Sequence, residues 1–100
     1  MENVTFSGLK DLEEVEQEMV KKLCEEHYPK IERILHEGHE VKIHIKSLEN
    51  EGHRHRYEIT FHITGPGMHL ETSTDEWDLA TAIHRGFDEL EKETRKRFHE

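Results

Sequence analysis

Apolar positions recur along the chain with two different periods, and the switches between them mark its elements. Val4 and Phe6 alternate with Thr5 and Ser7 before Gly8, which predicts a short first strand. From Leu9 the spacing becomes three or four residues, through Leu12, Val15, Met19, Leu23, Ile31, Ile34 and Leu35, with Val20, Cys24 and Tyr28 beside them. This predicts one amphipathic helix running to about His36 and stopping at Gly38. Pro29 removes the hydrogen bond to the carbonyl of Glu25, so a kink is expected there. Cys24, on the flank of this helix, is expected to pack rather than react.

Alternation returns in Val41, Ile43 and Ile45, and again in Tyr57, Ile59, Phe61 and Ile63. The two runs predict a hairpin that pairs Ile43 with Ile59 and Ile45 with Tyr57 around a loop Asn50-Glu51-Gly52. Gly65-Pro66-Gly67 suits a type II turn into a fourth strand, with Leu70, Thr72 and Thr74 inward and His69, Glu71 and Ser73 outward. Ser73 to Glu76 has capping-box spacing, and Leu79, Ile83, Phe87, Leu90, Thr94 and Phe98 then predict a second helix with Trp77 packed at its entrance. The order is β-α-β-β-β-α. A right-handed crossover makes the first two strands parallel, so the fold class is α+β: a two-layer sandwich of a four-stranded sheet with both helices on one face. Residues 1–100 are expected to form a single domain whose other sheet face is open to solvent or a partner.

Composition adds exclusions. Apolar residues are 32% of the chain and charged residues 37%, and no long apolar stretch exists, so neither a membrane span nor a signal peptide is expected. The lone Cys24 allows no internal disulfide, consistent with a cytoplasmic location. The net charge of −9 opposes a polyphosphate partner, but it is segregated. Residues 1–40 hold five basic and eleven acidic side chains, residues 41–64 four and three, and residues 65–100 five and nine. The middle segment, net +1, also carries His44, His53, His55 and His62, which gain charge as pH falls.

On the predicted register Lys42, His44, Lys46 and Arg56 cluster on the open sheet face, with Arg54 near the hairpin tip. On the second helix Arg85 and Lys92 share a stripe that leads to Arg95, Lys96 and Arg97, although Glu89 lies within a turn of both. These are the candidate RNA contacts. His62 and His69, with Glu71 and Glu40 near, offer an acceptable zinc ligand set, yet their spacing matches no zinc motif. No metal or other cofactor is therefore assigned from sequence. His27 is expected to be half-buried and hydrogen-bonded. With no nucleophile elbow and no phosphate-cradling loop, the chain is not expected to be an enzyme.

The run Leu70-Glu71-Thr72-Ser73-Thr74-Asp75-Glu76-Trp77-Asp78-Leu79-Ala80-Thr81-Ala82-Ile83, continued by Asp88-Glu89-Leu90-Glu91-Lys92, resembles the last strand and helix of the hibernation promoting factor and ribosome-associated inhibitor family. Asp78-Leu79, Ala82-Ile83, Asp88 and Leu90 match that family's pattern, and the predicted element order covers the whole chain. Ala80, His84 and Glu89 depart from it, where the family has Tyr, Asp and Lys, and the first helix opens with Glu13, Glu14, Glu16 and Glu18. The resemblance implies a short-form hibernation factor that occupies the mRNA and decoding channel of the small ribosomal subunit through 16S-type rRNA and blocks translation under stress. No DNA partner is implied. The alternative is a protein-binding or metal-responsive module of the same fold that has lost its rRNA surface.

Overall fold

The computed structural model describes residues 3–35, 38–49 and 55–98. Strand β1 (Val4–Ser7) pairs parallel with β2 (Glu40–Glu49), placing Val4 beside Val41 and Phe6 beside Ile43. Strands β3 (His55–Gly65) and β4 (Met68–Glu76) continue the sheet antiparallel, in the order β1-β2-β3-β4. Helix α1 (Glu14–Glu32) follows β1, and helix α2 (Leu79–Phe98) ends the fold. The β-α-β-β-β-α order and the α+β class agree with the hydrophobic pattern. No helix among the described residues is long and apolar enough to cross a membrane.

Between β1 and α1 the chain makes a single 3-10 turn, Leu9–Asp11. Gly8 precedes it at φ 84, and a Cβ there would stand 2.1 Å from the carbonyl oxygen of Ile45. A side chain is excluded both by the left-handed backbone and by the approach to β2. Glu13 then caps α1, its own N–H donating to Glu16 Oε1 at 3.1 Å.

The core lies between sheet and helices. Val41, Ile43, Ile59, Phe61 and Ile63 are fully buried, facing Val20, Cys24 and Ile31 of α1 and Ile83, Phe87 and Leu90 of α2. Burying each aliphatic side chain of this size stabilises the fold by about 1.5–3 kcal/mol. Burial also pushes the Cys24 thiol up to about 12, so at neutral pH it is an inert packing group.

Several details differ from the sequence reading. The hairpin register is displaced by two residues: Ile43 faces Phe61, Ile45 faces Ile59, and Val41 faces Ile63. A shift of two keeps every side chain on its face. The observed register gives Ile63 an apolar partner, which the expected one denied it, and makes the connection residues 50–54. The expected turn at Asn50-Glu51-Gly52 lies outside the described residues, as do His36, His53 and Arg54. Helix α1 passes through Pro29 as one element, as expected, but ends at Glu32 rather than near His36. Its buried stripe is Val20, Cys24, Tyr28 and Ile31, leaving Val15 77% exposed.

Ser73 caps nothing; it lies outward on β4 opposite Thr60. The cap of α2 is Asp78, whose Oδ2 accepts from the Thr81 N–H at 2.9 Å and the Thr81 hydroxyl at 2.7 Å. These bonds hold the Asp78 carboxyl below its usual range. Trp77 therefore precedes the helix instead of packing inside it, and is 40% exposed with the Arg56 guanidinium 5.1 Å from its ring centre.

Candidate nucleic-acid interface

Alternation sends half of each strand away from the helices, and the register orders these side chains into rows. Thr5, Lys42, His62 and Glu71 form one row; Ser7, His44, Thr60 and Ser73 form the next. Lys46, Glu58 and Asp75 follow on one side, and Glu40, Thr64 and His69 on the other. The sequence placed Lys42, His44, Lys46 and Arg56 on one face, and the structure brings them there.

Carboxylates lie there too: Glu40 and Glu71 near His62 and His69, as expected, together with Asp75 beside Arg56, which the sequence did not single out. Three cations, Lys42, Lys46 and Arg56, share the face with four acids, Glu40, Glu58, Glu71 and Asp75. Arg56 is ion-paired with Asp75, and His62 Nδ1 lies 3.2 Å from Glu71 Oε1. The charge is divided by strand. Lys42, His44 and Lys46 run along β2 at alternate positions, about 6.6 Å apart, beside neutral Thr5 and Ser7 of β1. Glu58, Glu71 and Asp75 occupy the β3–β4 half.

Lys42 and Lys46 are exposed and have no ion-pair partner among the described residues. His44 Nδ1 is 3.0 Å from Ser7 Oγ, which fixes the ring against β1. A stripe of two uncommitted ammonium groups flanking an imidazole can meet an anionic backbone at little cost, because no internal pair must first be broken.

The basic residues of α2 lie on the other layer and are not brought to this stripe. Arg85 is paired with Glu76, Arg95 with Glu91 at 3.1 Å, and Lys96 with Glu93 at 3.7 Å. Arg97 donates to the carbonyl of Gly67 at 3.3 Å. Lys92 is exposed and without an ion-pair partner among the described residues.

A histidine pair escaped the sequence reading because its members are 57 residues apart. His27, half-buried as expected, places Nε2 2.8 Å from His84 Nδ1 and stacks on Phe87 at 5.1 Å between ring centres. Burial, then His84 and Lys30, hold its pKa below the usual imidazole value.

The family model described as Sigma 54 modulation protein / S30EA ribosomal protein matches residues 11–99. The fold is similar to the Thermus thermophilus Protein Y N-terminal domain, with TM-score 0.60 and 16% identity over 93% of this chain and 92% of that one. It is also similar to a ribosomal subunit interface protein from Coxiella burnetii, with TM-score 0.59 and 17% identity over 98% and 97% of the two chains. No curated protein matches the sequence.

Proposed function

The chain belongs to the Sigma 54 modulation protein / S30EA ribosomal protein family, and from that premise we propose that it is a non-enzymatic ribosome-binding translation inhibitor of the cytoplasm. In this reading it binds the small ribosomal subunit through rRNA and occupies the mRNA and decoding channel under stress. The observation that carries the reading is the β2 stripe of Lys42, His44 and Lys46 on an open sheet face, its two lysines without an ion-pair partner among the described residues.

Lys42 and Lys46 are the principal phosphate contacts, with Arg54 as a candidate beyond the described strand ends. Arg56 contributes less, since it must first leave Asp75. Arg85, Arg95 and Lys96 are similarly committed to acids, and Lys92 is the remaining candidate on α2.

Sedimentation with isolated small subunits at two salt concentrations tests this. Each phosphate contact contributes roughly 0.7–0.9 to the slope of log affinity against log salt. The double variant Lys42→Ala/Lys46→Ala should bind more weakly, with a slope reduced by about 1.4–1.8 on that basis. Unchanged affinity and slope would exclude the stripe as the contact.

A further inference from the structure

We propose that His62, His69 and Glu71 form a binding site for one transition-metal dication of the zinc class. The site is independent of the ribosomal reading. It arises from strand register: Glu71 lies directly opposite His62 across the β3–β4 ladder, and His69, two residues before Glu71 on the same face, lies diagonal to His62. One ligand atom from each residue comes within 4.8 Å of the others. Two imidazoles and one carboxylate are therefore gathered by a rigid hairpin, although their sequence spacing matches no zinc motif.

The dimensions suit a small cation. Tetrahedral coordination at about 2.0–2.2 Å sets neighbouring ligand atoms roughly 3.3–3.6 Å apart. His62 Nδ1 and Glu71 Oε1 already stand at 3.2 Å. The His62 and His69 ring centres are 5.6 Å apart and tilted by 42°, so both rings can offer a nitrogen to one point. His69 and Glu71 are exposed and His62 half-buried, leaving room for the small rotations that close the set.

Imidazole ligands favour zinc, nickel or copper over magnesium and calcium, which prefer oxygen shells. Three protein ligands leave a fourth position for water, and both histidines line a hollow of about 390 Å³ together with Glu40 and Lys42. Glu40, in the row of His69, favours the cation, while Lys42, directly opposite His62, opposes it. Glu71 supplies the anionic ligand. His44, one row on, is held by Ser7. Coordinating imidazoles must be neutral, so binding should release protons and weaken as pH falls from 8 to 6.

Titration calorimetry of the full chain with Zn²⁺ alone, at pH 7.5, tests the site. One equivalent should bind with a dissociation constant of micromolar order, and His62→Ala, His69→Ala and Glu71→Gln should each weaken it at least tenfold. His55→Ala, at the far end of β3, should change nothing, and so controls for binding by scattered histidines. His69 and Glu71 are exposed, so their variants should keep the fold, which circular dichroism checks. Absence of binding, retention of binding in the triad variants, or equal loss in His55→Ala would each overturn the proposal.

Discussion

Replacing Gly86 by alanine tests how α2 sits on the sheet, because two effects of known size oppose each other there. In an open helix interior the change stabilises by about 1 kcal/mol through helix propensity. Gly86 is not open: it is buried, and an added Cβ would stand 2.1 Å from Phe61 Cε1 and 2.5 Å from Cζ. That ring cannot swing away cheaply. Phe61 is fully buried, with Ile43 opposite it on β2 and the ring of Phe87 5.1 Å away at 69°. Overpacking of this kind costs about 1–3 kcal/mol, and a contact this short belongs at the upper end. Gly86→Ala should therefore destabilise by about 2 kcal/mol net, read from urea denaturation with an unchanged slope against denaturant. Adding Phe61→Leu should relieve the clash, so the double variant should lose less than the sum of the singles, by on the order of 1 kcal/mol. A stabilisation of about 1 kcal/mol by Gly86→Ala alone, the value for an unhindered helix site, would refute the packing of α2 against Phe61.

Thr72 is buried, and its hydroxyl has no hydrogen-bond partner among the described residues. Thr72→Val removes that group at nearly constant shape and should stabilise by about 1 kcal/mol in the same denaturation assay; a comparable loss would mean that the hydroxyl is satisfied. The lowered pKa of His27 means that the unfolded chain takes up that proton first. Its contribution to stability should be complete above about pH 6.5 and lost as pH falls through the folded-state value. The stability difference between pH 7.5 and pH 5.5 should accordingly shrink in His27→Gln, and an identical difference in that variant would contradict the cause assigned.

The fold was legible because period-two and period-3.6 patterns leave little choice about which elements form. Register was less legible. Pairing Ile43 with Ile59 or with Phe61 satisfies the same inward face, and only the need of Ile63 for Val41 separates them. In α1, Val15 looked like stripe because Leu12 set the phase, yet Leu12 lies before the helix. At 3.6 residues per turn Val15 is about 140° round from Val20. Ser73-x-x-Glu76 imitated a cap because strand β4 holds the same residue types for another reason. The candidate RNA stripe on β2 was visible, as was the outward position of Glu71, but the ion pair that commits Arg56 to Asp75 was not, since it forms only between paired strands. The histidine pair His27–His84 is likewise a product of helix packing that linear spacing cannot reveal.

Competition for the small subunit bears most directly on the proposed function. A labelled mRNA fragment is bound to isolated small subunits, and the full chain is titrated in at low salt while bound label is followed. Occupancy of the mRNA channel predicts that the label is released in proportion to the chain bound, and that Lys42→Ala/Lys46→Ala requires a higher concentration for the same release. Stable complexes carrying chain and mRNA together, with the label undisturbed at saturation, would contradict it.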